Sequence, residues 1–157
     1  MKKLFIVFGV LSCLFISACL TQSSQLYTVI REYPSRDGQR PEKELLIHRK
    51  AMMTRTESVV FSVWESNGGL RACFALSNYK SMQSLDSISC IIDDDFMSLR
   101  LDWWNSINDV VIEAGFPLPE NIIARLKTAQ SIKLQVLDEV ITIAPEGVTA
   151  IRNLLQD

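Results

Sequence analysis

Residues 58–76 read SVVFSVWESNGGLRACFAL, and this stretch decides the fold. Two apolar runs, 58–64 and 70–76, flank a polar segment around Asn67-Gly68. Asn-Gly between runs of β-branched and aromatic residues is the strongest short-range signal of a hairpin, because both residues tolerate the positive φ of a tight turn. The stretch therefore predicts two antiparallel strands, the second of which carries Cys73.

Further strands are expected on both sides of this hairpin. Their residues are β-branched or aromatic, or alternate between apolar and polar, as half-buried strands do. The predicted strands are 26–33, 87–92 with Cys90, 132–136 and 140–144, with a loop at 34–41 and a turn at Asp138-Glu139. Residues 42–54 fit either a helix that begins after Pro41 or a strand, and the helix is the favoured alternative.

Helices are predicted where apolar residues recur at intervals of three and four. The longest such run extends from Asp95 to Ala114, after acidic residues suited to a helix N-terminus and before Gly115, which suits a C-terminus. Shorter helices are expected to begin at Pro119 and Pro145.

Turns between neighbouring strands are too short for parallel crossovers. The fold class predicted for the single globular domain 26–157 is therefore α+β, with a mainly antiparallel sheet, helices packed on one face and one disulfide.

Residues 1–18 have the organisation of an export signal. Lys2 and Lys3 precede an apolar run, 4–15, that is shorter than the roughly 20 residues of a membrane-spanning helix. The next residues, Ile16-Ser17-Ala18-Cys19, resemble the lipobox of bacterial lipoproteins. In that family the signal is removed before the cysteine, whose thiol and new amino group are acylated.

The lipobox resemblance implies an address for the protein. Cys19 would become the lipidated first residue, and residues 19–25 would tether the domain to the membrane. In this family an aspartate after the cysteine favours the inner membrane. Leu20 stands there, so the resemblance implies the outer membrane, with the domain facing the periplasm or the surface.

A second resemblance concerns the end of the chain. Leu126, Ala129, Ile132 and Leu134, followed by apolar residues from Gly147 to Leu154, are similar to the tail of small exported β-rich proteins such as the invasion-associated locus B family. These are packing positions, so the similarity implies a fold and assigns no functional residue.

Charge argues against a nucleic-acid partner. Removal of Lys2 and Lys3 with the signal lowers the basic count from 16 to 14, against 18 acidic residues. Nucleic-acid binding calls for a basic face, which a mildly acidic domain of mixed charge is poorly suited to provide. The apolar content of 48% excludes disorder as the global state.

The positions of the four cysteines predict different roles for them. Cys13 lies in the signal and Cys19 in the lipobox, which leaves Cys73 and Cys90. In an oxidising envelope compartment this pair predicts a disulfide. The alternative is a metal or redox site, but neither cysteine lies in a Cys-x-x-Cys motif.

Signals of catalysis are weak. His48 is the only histidine and is expected to be exposed among lysines and arginines. No serine lies in a G-x-S-x-G motif, and neither zinc spacing nor a phosphate-binding glycine loop is present. Asp93-Asp94-Asp95 could supply oxygen ligands to calcium, although helix capping is the favoured interpretation. We therefore expect no catalytic residue, no metal and no cofactor.

Trp103-Trp104 is the best candidate for a binding residue. On the predicted helix, adjacent residues diverge by about 100°, so Trp103 would face the core and Trp104 would stay partly exposed. An exposed tryptophan can anchor a protein partner or a sugar. The alternative is that both rings pack against the sheet.

These features favour a non-enzymatic outer-membrane lipoprotein that binds an envelope protein, as an accessory factor of a secretion, pilus or other envelope complex. A periplasmic immunity or inhibitor lipoprotein that blocks a toxic enzyme is the second hypothesis. An enzyme or ligand carrier with an unrecognised site is the third.

Overall fold

The structure of the protein is a computed structural model. It describes residues 30–33, 42–53, 55–66, 68–79, 82–107 and 110–156. Two antiparallel sheets make up most of this part, one with strand order β1-β2-β3-β4-β8-β7 and one with order β10-β9-β5-β6. The strands are β1 (Ile30–Tyr33), β2 (Glu42–Ala51), β3 (Thr56–Ser66), β4 (Gly69–Ser77), β5 (Ser87–Ile92), β6 (Asp95–Arg100), β7 (Trp103–Ile107), β8 (Val110–Pro117), β9 (Ile132–Val136) and β10 (Glu139–Thr142). The helices are α1 (Glu120–Leu126) and α2 (Pro145–Gln156), with a 3-10 turn at Met82–Ser84.

The predicted central hairpin is confirmed. Strands β3 and β4 pair in register from Ser58 opposite Ser77 to Ser66 opposite Gly69, and Gly68 has the positive φ of 74° that such a turn requires. Phe61 and Phe74 lie opposite each other in this pair, with ring centroids 5.2 Å apart, and both are fully buried. The hairpin therefore brings a large apolar surface to the core.

The helix predicted from Asp95 to Ala114 is wrong, because this segment contains β6, β7 and most of β8. Asp93 and Asp94, with φ of 49° and 69°, form a two-residue turn between β5 and β6, so the acidic residues close a hairpin instead of beginning a helix. Burial follows the alternation of a strand: Phe96 is 70% exposed and Leu99 only 1%. Gly115 is a central residue of β8, not a helix C-terminus.

The helix favoured for residues 42–54 is also wrong. Residues 42–51 form β2, which pairs with β1 and β3. A β-bulge between Leu46 and His48 interrupts the alternation. Leu45 and Ile47 are both buried, so the strand places apolar residues in the core despite its charged composition.

Both short helices are confirmed. Helix α1 follows Pro119 and buries Ile122, Ile123 and Leu126. Helix α2 starts at Pro145, buries the stripe of Val148, Ile151, Leu154 and Leu155, and packs against α1, β2 and β3. Strand predictions at 87–92 and 132–136 are confirmed as well, and the return strand is β10.

One hydrophobic core joins both sheets and both helices. It establishes a mainly antiparallel α+β fold. Residues 1–29 and 34–41, which hold the predicted signal, lipobox, tether and first loop, lie outside the described residues. No helix in the described part is long and apolar enough to cross a bilayer.

The structure differs from the sequence prediction at the cysteines, because Cys73 and Cys90 are both free and both buried. Cys90 belongs to the core, on the four-stranded sheet. Cys73 belongs to the six-stranded sheet, where it lies between the core residues Ala72 and Phe74. Because successive residues of a strand point to opposite faces, the Cys73 side chain lies on the face of this sheet that is turned away from the core. The sheet backbone therefore separates the two thiols.

Candidate functional site

Both adjacent tryptophans lie on β7, one of the two edge strands of the six-stranded sheet. Trp103 is 39% exposed and Trp104 is 59% exposed. Successive residues of a strand point to opposite faces, so the two rings serve different surfaces. The expectation that Trp103 lies in the core is wrong, because it assumed a helix; Trp104 is exposed, as predicted.

Trp103 covers the backbone of the neighbouring strand. It lies opposite Gly115 in the β7–β8 pair. A Cβ atom at position 115 would overlap the Cε2, Nε1 and Cζ2 atoms of the indole. Glycine at this position therefore makes room for the ring, an arrangement in which a cross-strand aromatic side chain compensates a glycine in a sheet.

Trp104 lines a groove of about 360 Å³ on the other side of the strand. The groove volume suits one side chain or a small ligand. Two backbone hydrogen bonds shape it: the Leu101 N–H donates to the Asp86 carbonyl oxygen at 2.9 Å, and the Leu85 N–H donates to Met82 at 3.1 Å. The described lining residues are Met82, Gln83, Leu85, Asp86, Leu101, Trp104 and Ser106.

A second group of polar and charged side chains lies where the two sheets approach each other. Lys50 on β2 donates a hydrogen bond of 2.7 Å to Glu139 on β10. Its Nζ is also 3.9 Å from Oε2 of Glu57, which is only 3% exposed. Arg55 donates two hydrogen bonds, of 3.2 and 2.7 Å, to Oε1 of Glu57. The buried carboxylate is therefore neutralised by two cations, as burial of a charge requires.

His48 belongs to this group and is not the exposed histidine that the sequence predicts. It lies opposite Val59, a core residue, so the strand turns its side chain inward. Burial lowers the pKa of His48, against the opposing effect of Glu139. Burial also raises the pKa of Tyr79, which Glu139 and Glu57 raise further.

Three buried polar atoms of this group have no hydrogen-bond partner among the described residues: His48 Nε2, Glu57 Oε2 and the Tyr79 hydroxyl. Such atoms are costly unless a water or a ligand satisfies them. Sequence reasoning missed Glu57 on β3, Glu139 on β10 and Tyr79 in the segment after β4, because only the fold brings these residues near His48.

The three aspartates have separate structural partners. The Asp93 carboxylate accepts hydrogen bonds from the Ser131 and Gln130 N–H groups at 2.8 and 2.9 Å, which hold its pKa below the usual range. Asp94 pairs with Lys133, and Asp95 with Arg125. Within the described ranges no group of three or more histidine, cysteine or acidic residues is arranged to hold a metal ion.

Neither free thiol is activated. Burial and, to a smaller extent, the carboxylate of Glu42 raise the pKa of Cys73 to about 12. Burial raises the pKa of Cys90 to about 12 as well. Since the thiolate is the nucleophile and the metal ligand, both cysteines are inert at neutral pH in the folded chain.

Comparison of the chain with protein-family models, with curated proteins and with solved structures finds no match. The functional assignment therefore depends on the residues themselves. Of the site residues predicted from sequence, Cys19 lies outside the described part, Cys73 and Cys90 lie on different sheets, and Trp104 lines the groove.

Proposed function

We propose that the protein is a bacterial outer-membrane lipoprotein, anchored through Cys19, whose non-enzymatic domain binds an envelope protein through the Trp104 groove. The partner belongs to a secretion, pilus or other envelope complex. The single observation that carries the binding role is the exposure of Trp104, 59% of whose surface meets solvent beside a preformed groove.

The energetics of interfaces support this role for Trp104. Tryptophan is enriched among the residues whose truncation costs most binding energy, and such residues sit in pockets that exclude water on binding. An exposed indole beside the buried side chains of Met82 and Leu85 provides such a place. The same ring is outside the hydrophobic core of the domain.

The lipobox supports the address. Two or more acyl chains make membrane attachment effectively stable, since each buried methylene contributes about 0.8 kcal/mol. The polar tether at 19–25 would keep the domain close to the membrane. A binding domain held there meets envelope proteins at high local concentration.

Site-specific photo-crosslinking in cells tests the proposal. A benzoylphenylalanine at position 104 should crosslink to one envelope protein, identified by mass spectrometry. The matched control is the same replacement at Val140, an exposed apolar residue of the other sheet. Position 140 should not give the same adduct, and the purified partner should bind wild type more tightly than the Trp104→Ala variant.

Two outcomes would contradict the proposal. Equal adducts from positions 104 and 140 would show that the groove is not the binding surface. A partner that is an enzyme, and that the lipoprotein inhibits, would support the immunity or inhibitor alternative instead.

A further inference from the structure

We propose that the Trp104 groove receives an arginine side chain of the partner protein. This inference rests on the proposed function and specifies the chemistry that the site recognises. Three properties of the groove support it: an apolar floor, an exposed aromatic ring and an acidic residue.

The floor suits the hydrocarbon part of a long side chain. Met82 and Leu85 are 4% exposed and line the groove together with Leu101. The methylene groups of arginine bury readily along apolar surface while the charged end stays hydrated. A short or branched aliphatic side chain would cover the floor but would leave the acid and the ring without a partner.

Two groups suit the guanidinium. Trp104 offers an exposed indole, and arginine stacks on aromatic rings through both cation–π attraction and planar contact. Asp86 carries the one formal charge among the described lining residues, and a carboxylate pairs with the fork of guanidinium N–H groups. The Asp86 backbone is held by the hydrogen bond from the Leu101 N–H, so the acid has a fixed position relative to β7.

The two residues next to Leu101 in the sequence carry opposite charges. Asp102 is exposed next to Trp103 at the start of the same edge strand. Arg100 is exposed too, but it pairs in register with Ser87 on the four-stranded sheet and does not line the groove. These two charges oppose each other, so the preference for a cation comes from Asp86, which lines the groove.

The test uses the full chain in detergent micelles, labelled with 5-fluorotryptophan and observed by fluorine NMR. Its three tryptophans give three resonances, which single substitutions assign. N-acetyl-arginine amide is the probe, and N-acetyl-citrulline amide, nearly the same shape without the charge, is the control ligand. Only the arginine amide should shift the Trp104 resonance, while the Trp64 and Trp103 resonances should stay in place.

Variants refine the result. Asp86→Asn should weaken the arginine amide at least about threefold, as expected for loss of a charge-assisted contact. Asp102→Asn, which removes a nearby charge that does not line the groove, should weaken it less than about twofold.

Equal shifts with both amides, no shift with either, or unchanged affinity in Asp86→Asn would overturn the inference. The proposed function is tested separately, because a partner crosslinked from position 104 would still establish binding at the groove. A crosslinked segment without arginine would likewise overturn the arginine assignment and leave the binding role intact.

Discussion

The indole of Trp103 lies against the backbone of Gly115 on the adjacent strand, in the space that a Cβ atom would occupy. Through this contact Trp103 packs on the sheet although it lies outside the hydrophobic core. The two rings have different roles, because Trp104 lies on the opposite face of the strand from Trp103 and lines the groove.

Gly115→Ala should destabilise the fold by about 1–3 kcal/mol, because the methyl group would displace the Trp103 ring. Chemical denaturation followed by circular dichroism measures the change. Gly69→Ala is the matched control: its added Cβ meets only the Ser66 carbonyl oxygen at 3.9 Å, so its free energy of unfolding should change little. Trp103→Ala should recover part of the loss in the Gly115→Ala background. Additive effects would contradict the contact.

Trp104→Ala should weaken partner binding by about 1–2 kcal/mol, the size of a modest hot spot, with little change in thermal stability. Trp103→Ala should show the opposite pattern, with a loss of stability and nearly unchanged binding. A thermal melt and a binding titration with the crosslinked partner, run on both variants, measure the two effects. Equal melting losses with unchanged binding would place the binding surface elsewhere.

The stability of the domain should fall as the pH decreases from about 7 through the ordinary histidine pKa of about 6.5. Burial lowers the pKa of His48 in the folded state. As the pH falls, His48 is therefore protonated in the unfolded chain before it is protonated in the folded chain, and this stabilises the unfolded state relative to the folded one. His48→Gln should lose this part of the pH dependence. The measurement is the free energy of unfolding at pH 7.5 and 5.5 for both proteins. Identical differences between the two pH values would contradict a buried neutral histidine.

Cys73 and Cys90 should react slowly with a thiol reagent in the native protein and rapidly after unfolding. Both are free and buried, and burial raises the pKa of each to about 12. Titration of the mature protein with the thiol reagent in guanidinium should detect two reactive thiols. A denatured protein without free thiols, with a mass two hydrogens below the reduced form, would show that a disulfide forms in the envelope.

Cys19→Ser should abolish incorporation of labelled palmitate and leave a precursor of altered size, since the lipobox resemblance places the acyl chains on this cysteine. Metabolic labelling followed by gel electrophoresis measures both effects. Cys73→Ser is the control and should be labelled as wild type is. Equal labelling of Cys19→Ser would contradict the lipobox interpretation.

Local chemistry decided some elements, and these could be predicted from the sequence. The Asn67-Gly68 pair in the sequence predicts the hairpin of β3 and β4, and Gly68 has the positive φ that its turn requires. Pro119 and Pro145 mark the starts of α1 and α2, whose apolar stripes have the helical period. The exposure of Trp104 was also predicted, although the helix on which that prediction depended does not exist.

Pairing with distant strands decided the rest. Apolar residues between Phe96 and Ala114 fit a helical period by position, but β8 pairs with β4 and β6 pairs with β5, and these ladders outweigh local spacing. The groove and the His48 group also depend on residues that are distant in the sequence, since Asp86 and Trp104 line one groove and Lys50 bonds Glu139 only in the folded chain. Turns and helix starts are properties of a few consecutive residues. Sheet partners, burial and sites are properties of the whole chain, and only the tertiary structure decides them.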